Sequence, residues 1–123
     1  VNGAPAILVV DDERLMRQLI RTILERNGFP VITASSGAAA IGAVRRAAEI
    51  GLVVTDVLMP DMDGPTLARR LAGIKPGLPI LIVTAAVESV EDLPCPVLAK
   101  PFTSAELVRA VRALVSRGQT SRA

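Results

Sequence analysis

Histidine, tryptophan and tyrosine are absent from the 123 residues, and cysteine occurs once. Each absence removes chemistry. Without histidine the chain cannot supply a Ser-His-Asp triad, a Cys-His dyad or a His-ligated zinc site. A single Cys95 excludes an internal disulfide and a multi-cysteine metal site, and it fits a reducing compartment. Charge of one sign is also lacking: 14 basic residues against 12 acidic give a net of +2, too balanced to advertise a nucleic-acid or membrane partner. The pI near 9.3 reflects titration of a nearly balanced chain, not a basic patch. No stretch reaches the ~18 consecutive apolar residues of a membrane span. Val1 stands where an initiator Met would, so the chain is expected to be processed, tagged or cut from a longer one. What remains is carboxylates, hydroxyls and two lysines, in a chain that is 50% apolar. That apolar share argues against disorder, and the length suits one domain whose core buries roughly two-thirds of its surface.

Apolar periodicity alternates regularly along the chain. Ala6 to Val10 is a short, wholly apolar run that stops at Asp11-Asp12. Leu15, Met16, Leu19, Ile20, Ile23 and Leu24 then recur at helical spacing, and Asn27-Gly28 supplies a left-handed stop. Val31 to Ala34 is β-like, and Ser35-Ser36-Gly37 opens an Ala-rich helix running to about Glu49. Leu52 to Thr55 is again apolar and again stops at an aspartate, Asp56. The loop Met59-Pro60-Asp61-Met62-Asp63-Gly64 precedes a helix from Pro65, a residue suited to the first helical position. Pro79 to Val83 ends at Thr84, and Val97 to Ala99 ends at Lys100-Pro101. Thr103 and Glu106 form a capping box for a last helix with Leu107, Val111, Leu114 and Val115 inward.

Five β-α repeats whose strands are apolar throughout predict a doubly wound, five-stranded parallel α/β sheet with helices on both faces. The stretch 85–96 is near the ~10–12-residue minimum for a crossover, so a fourth helix there is expected to be short or irregular. The whole of 1–123 reads as a single domain, with a core over about 5–117. Ser116 onward is expected to fray, with 118–123 as the tail.

Functional groups in such a sheet gather beyond the carboxyl ends of the strands. Those ends carry Asp11 and Asp12, Asp56, Thr84 and Lys100. Clustered carboxylates repel one another unless a cation sits among them, and Mg²⁺ tolerates a site with few protein ligands and several waters. An ammonium balances charge and binds an incoming anion. Metal, lysine and hydroxyl together surround a phosphoryl group with the contacts its transfer needs. A central aspartate can then be the nucleophile.

In four stretches, Val9-Val10-Asp11-Asp12-Glu13, Thr55-Asp56-Val57-Leu58-Met59-Pro60-Asp61-Met62-Asp63-Gly64, Val83-Thr84-Ala85 and Ala99-Lys100-Pro101-Phe102, the chain resembles the receiver domain of two-component response regulators. Any one stretch is weak; all four, in order and each at a strand end, are specific. The resemblance covers essentially the whole chain and implies a flavodoxin-like fold. It makes Asp56 the phosphoacceptor, and it makes Asp12 a direct and Asp11 a mainly water-mediated ligand of Mg²⁺ (or Mn²⁺). The Leu58 carbonyl becomes a further ligand. Lys100 would contact a phosphoryl oxygen, and Thr84 would move to bond the phosphate. A cis peptide at Lys100-Pro101 is implied too, an isomer found at only ~5% of X-Pro bonds. The partner would be a histidine kinase or a histidine phosphotransfer protein, the setting cytoplasmic and the oligomeric state monomeric. Such a domain is a signalling phosphoacceptor with intrinsic autophosphorylation and autodephosphorylation, not a dedicated enzyme.

Other readings fit less well. Asp12 alone could cap the helix starting near Glu13; Asp11 beside it and Asp56 on another strand favour the metal. A phosphorylation-independent interaction module would not need Asp11, Asp12, Asp56, Thr84 and Lys100 all intact. A small Mg²⁺ phosphatase would need an extra domain to cap its substrate. The Asp61-Met62-Asp63-Gly64 stretch resembles a haloacid-dehalogenase nucleophile motif, but Pro60 precedes it and no strand ends there. An EF-hand would want an acid where Met59 stands. A solvated turn is the better reading. Arg45-Arg46 and Arg69-Arg70, with no aromatic interleaving, read as solvated helix faces and not as a nucleic-acid surface.

Two departures matter. Many receivers carry Tyr or Phe three residues before the lysine, where this chain has Val97, and the 85–96 segment is short. Both features are similar to receivers attached to hybrid sensor histidine kinases, where the domain is a stop in a phosphorelay, and the expectation is such a receiver or a single-domain one.

Overall fold

Runs of Ile, Leu and Val favour extended backbone where both faces can be covered, and five such runs build the sheet. The computed structural model describes residues 5–47, 49–86 and 95–122. The elements are β1 (Ala6–Val10), α1 (Arg14–Arg26), β2 (Val31–Ala34), α2 (Gly37–Arg46), β3 (Ile50–Thr55), α3 (Gly64–Ile74), β4 (Ile80–Thr84), β5 (Val97–Ala99) and α4 (Ser104–Arg122). All pairings are parallel, in the order β2-β1-β3-β4-β5. The doubly wound architecture expected from the sequence is the one observed.

Successive strand residues point to opposite faces, and the core divides accordingly. Ile7, Val9, Leu52, Val54, Leu81 and Val83 pack on one face against Ile20 and Leu24 of α1 and Leu107, Val111 and Leu114 of α4. Leu8, Val10, Val53 and Ile82 pack on the other against Ala40, Ala43 and Val44 of α2 and Leu67 and Leu71 of α3. Each fully buried Leu or Ile is worth roughly 1.5–3 kcal/mol, so the central strands are the most firmly held. β1, β3 and β4 are buried along nearly their whole length, whereas β2 and β5 are short and partly exposed.

Local signals behave as read. Gly28 takes φ 88° after α1, with its N–H donated to the Glu25 carbonyl. Thr103 and Glu106 exchange their capping bonds at 2.7 and 3.1 Å. The Lys100-Pro101 peptide is cis. Some boundaries move. α2 stops at Arg46, short of Glu49, because Ala47 turns extended and so lets Ile50 join β3. α4 continues to Arg122, through the segment expected to fray; no proline interrupts it, and extending a formed helix costs little. The expected short fourth helix falls largely on 87–94, outside the described residues.

The topology decides where the chemistry lies. Strand order reverses between β1 and β3, the crevice position of a doubly wound sheet. Val10 is level with Thr55, and Thr84 with Ala99. Asp11 and Asp56 therefore leave the sheet side by side, and Lys100 lies one step beyond Thr84.

Candidate functional site

Lys100 links the two carboxylates. Its Nζ lies 3.0 Å from Asp56 Oδ2 and 3.7 Å from Asp11 Oδ2. Asp11, 3% exposed, uses its other oxygen to accept the N–H of Glu13 at 2.9 Å, which turns the chain into α1. Asp56 Oδ1 takes the N–H of Val57 at 2.6 Å. Thr84 is buried; its hydroxyl oxygen accepts the N–H of Ala86 at 3.0 Å, and its carbonyl accepts the N–H of Lys100 at 2.9 Å. Asp12 and Leu58 are exposed at the rim. The five side chains singled out in the sequence, Asp11, Asp12, Asp56, Thr84 and Lys100, thus lie at one end of the sheet, and three of them form one ion-paired group.

Burial pushes the Asp11 carboxyl above its ordinary value of 3.8, against the lowering effects of the Glu13 N–H and Lys100; the charges of Asp56 and Asp12 push it further up. A carboxyl raised in this way holds its proton more tightly folded than unfolded. Its contribution to stability is full below pH 3.8 and is lost as pH rises through the raised value. Asp11→Asn removes the charge and keeps an oxygen for Glu13. We expect it to stabilise the domain at neutral pH by on the order of 1 kcal/mol and to leave acid stability nearly unchanged. Urea midpoints at pH 4 and pH 7, compared with the parent, check this; equal differences at both would contradict it.

The donors here are all oxygen, the set a hard divalent ion prefers. Among the described residues no three acidic side chains form a ready cage. Mg²⁺ needs none, since it keeps several waters and takes one or two carboxylates. Asp11, Asp12, Asp56 and the Leu58 carbonyl are the groups that could hold such an ion.

Some contributors have no mark in the sequence. Arg17 Nη1 donates to the Asp11 carbonyl at 2.8 Å, tying α1 to the end of β1. Asp12 does not cap α1, whose N-cap position is Glu13, without a side-chain bond. The stretch read as a solvated turn carries two helix caps. Asp63 accepts the Thr66 N–H at 2.7 Å and starts α3, and bonds from Thr66 hold its carboxyl below the usual range. Asp61 reaches the start of α2, taking the N–H groups of Gly37 and Ala38 at 3.1 and 2.9 Å. The Asp63–Thr66 spacing is a capping signal; the Asp61 contact spans 24 residues and has no local signal.

Beside Lys100 runs a groove of about 290 Å³ lined by Met16, Leu19, Ala85, Lys100, Pro101 and Phe102. Leu15 and Leu19 are among the few large apolar side chains left exposed. Among the described residues no helix is long and apolar enough to cross a membrane.

Residues 7–112 match the family model of the response regulator receiver domain. The transcriptional regulatory protein TcrX of Mycobacterium tuberculosis is 38% identical over 124 aligned positions, 94% of this chain and 52% of that protein. The sensor kinase CckA of Brucella abortus is 32% identical over 95% of this chain, which spans 13% of the kinase. Among solved structures, the response regulator TrrA of Thermotoga maritima, in complex with Mg²⁺-BeF, superposes with a TM-score of 0.83 at 30% identity, covering 89% of this chain and 98% of that one. The chain spans about half the length of TcrX and far less of CckA, so only the shared domain is common to all. By the extent of the family match, this chain belongs to the response regulator receiver domain family.

Proposed function

We propose that the domain accepts a phosphoryl group on Asp56 from a phosphohistidine of a partner protein, in a Mg²⁺-dependent step of two-component signalling. The observation that carries this is the pairing of Lys100 with both Asp56 and Asp11 where β1 and β3 end. In the transfer an Asp56 oxygen attacks phosphorus, the P–N bond to the donor imidazole breaks, and its electron pair returns to the nitrogen. Lys100 supplies positive charge where the phosphoryl oxygens gather, a contribution of the kind worth several kcal/mol in a preorganised site. The Val57 N–H orients the carboxylate. Asp11, Asp12, Asp56 and the Leu58 carbonyl would hold Mg²⁺, which would supply further charge neutralisation; TrrA, of the same fold, is in complex with Mg²⁺-BeF. Thr84 would exchange its Ala86 bond for one to the phosphate. We place this chemistry in a monomer in the cytoplasm. Incubation with Mg²⁺ and acetyl phosphate tests it: intact mass should show one added phosphoryl group, and chelation should prevent the gain. No gain would overturn the reading.

The route out of the domain follows from Val97, half-buried against the α2–α3 face. An aliphatic side chain there cannot swing as an aromatic would when Thr84 moves, which favours a phosphorelay role such as that of a hybrid-kinase receiver, in line with the match to CckA. Phosphoryl exchange with a histidine phosphotransfer protein is the expected behaviour; absence of exchange in either direction would argue against the relay.

Leu58 bears on lifetime. Its exposed aliphatic side chain, two residues past Asp56, cannot orient water for attack on the phosphoryl group. The acyl phosphate is expected to persist at neutral pH in Mg²⁺, and Leu58→Gln to shorten its life on the order of tenfold, part of what orienting a nucleophile contributes. Loss of mass label over time reads both.

A further inference from the structure

The loop between Asp56 and α3 is fastened at three places. Gly64 donates to the Val57 carbonyl at 2.7 Å, which closes the loop at its base. Met59 is buried in the core, within 3.9 Å of the Thr55 hydroxyl. The remaining fastening is outward: Asp61 bonds the first two N–H groups of α2, and the Met62 side chain lies where a Cβ on Gly37 would be. Leu58 lies between Asp56 and the buried Met59, so its carbonyl belongs to the loop that these contacts fasten.

We propose that Asp61 is a positioning residue for cation binding at the acidic pocket, holding the loop against α2 so that the Leu58 carbonyl faces Asp56. This rests on the phosphoacceptor reading above. The N–H groups at a helix start would otherwise be left to water, and Ser36 already serves α2 in the ordinary way by accepting the Ala39 N–H at 3.1 Å. Asp61 adds a cap from a different part of the chain, and the two bonds hold its carboxyl below the usual range. Each oxygen takes a separate N–H, which fixes both the position and the rotation of the loop tip. A merely local turn would need neither the two-pronged contact nor the absence of a Cβ at Gly37.

Calorimetric titration with Mg²⁺, alongside amide NMR shifts at Val57 to Met59, tests this on three variants. Asp61→Ala should weaken Mg²⁺ binding about tenfold, the usual cost of losing an outer-sphere support. It should also raise the Mg²⁺ needed for half-maximal phosphorylation by acetyl phosphate more than it lowers the rate at saturation. Asp61→Asn, which keeps one accepting oxygen, should fall between. Ser36→Ala removes a cap from the same helix end without touching the loop, and should destabilise α2 while leaving Mg²⁺ binding unchanged. Equal loss in Asp61→Ala and Ser36→Ala would overturn the proposal, as would unchanged Mg²⁺ affinity in Asp61→Ala. In the latter case the parent's own Mg²⁺ binding and phosphoryl gain would show that the phosphoacceptor reading survives; if the parent did neither, both would fall together.

Discussion

Asp56→Asn, incubated with Mg²⁺ and acetyl phosphate, is expected to gain no phosphoryl group, while the parent domain gains one. The substitution is nearly isosteric. Its amide oxygen can still take the Val57 N–H that Asp56 Oδ1 accepts at 2.6 Å, so the loop should keep its course. What disappears is the anionic oxygen proposed as the nucleophile, and with it the charge that holds Lys100 Nζ at 3.0 Å. An amide is not a competent nucleophile here, so the loss should be complete and not partial. Lys100 keeps its contact with Asp11 at 3.7 Å, so the variant should remain folded, and its circular dichroism should match the parent's. Phosphoryl gain in folded Asp56→Asn would place the acceptor elsewhere. Intact mass and urea unfolding on the same sample separate loss of chemistry from loss of structure.

Gly64→Ala is expected to destabilise the domain by about 1–3 kcal/mol, the usual cost of overpacking a buried site. Alanine in a helix is ordinarily better than glycine by roughly 0.5–1 kcal/mol, so the sign depends on space. A Cβ on Gly64 would lie 2.6 Å from the Asp56 carbonyl oxygen and 3.1 Å from Val57 Cα. Both are backbone atoms, and the Gly64 N–H is committed to the Val57 carbonyl at 2.7 Å. Nothing flexible can give way, so the clash wins and the loop that follows Asp56 must shift. Gly73 is the control, because it lies in the same helix with open space around it. Gly73→Ala should therefore gain a few tenths to ~1 kcal/mol. With neither Trp nor Tyr in the chain, far-UV circular dichroism in urea is the means of following both. A neutral or stabilising Gly64→Ala would mean that the loop is looser than these contacts imply.

Much of this was legible from composition and pattern. Runs such as Ala6 to Val10 are too short for helices and too apolar for one-sided strands, so they specify a sheet covered on both faces. The aspartates that end β1 and β3 then follow by position. Which of Asp11 and Asp12 is buried was not legible, because adjacent residues leave a strand on opposite sides and only the packed structure selects between them. The end of α2 at Arg46 depends on Ile50 pairing with Ala6 of β1, a tertiary contact without a local mark. The same holds for Asp61, whose partners are 23 and 24 residues away. DxDG looked like a turn because helix caps and turns draw on the same residue types.

The partly exposed β5 has a consequence for how firmly the two halves of the pocket are held. Asp11 and Asp56 hang from the interior of the sheet, on strands covered on both sides. Lys100 hangs from a three-residue strand that, among the described residues, has β4 as its one sheet neighbour. In a sheet, edges open before centres, and amides exchange with solvent accordingly. Amides beside the anions, at the centre of the sheet, are therefore expected to exchange more slowly than those beside their counter-ion at its margin. The Lys100 amide, bonded to the Thr84 carbonyl at 2.9 Å, is the rung where that gradient crosses the pocket. Opening of β5 would therefore part Lys100 from both carboxylates while leaving those carboxylates in place.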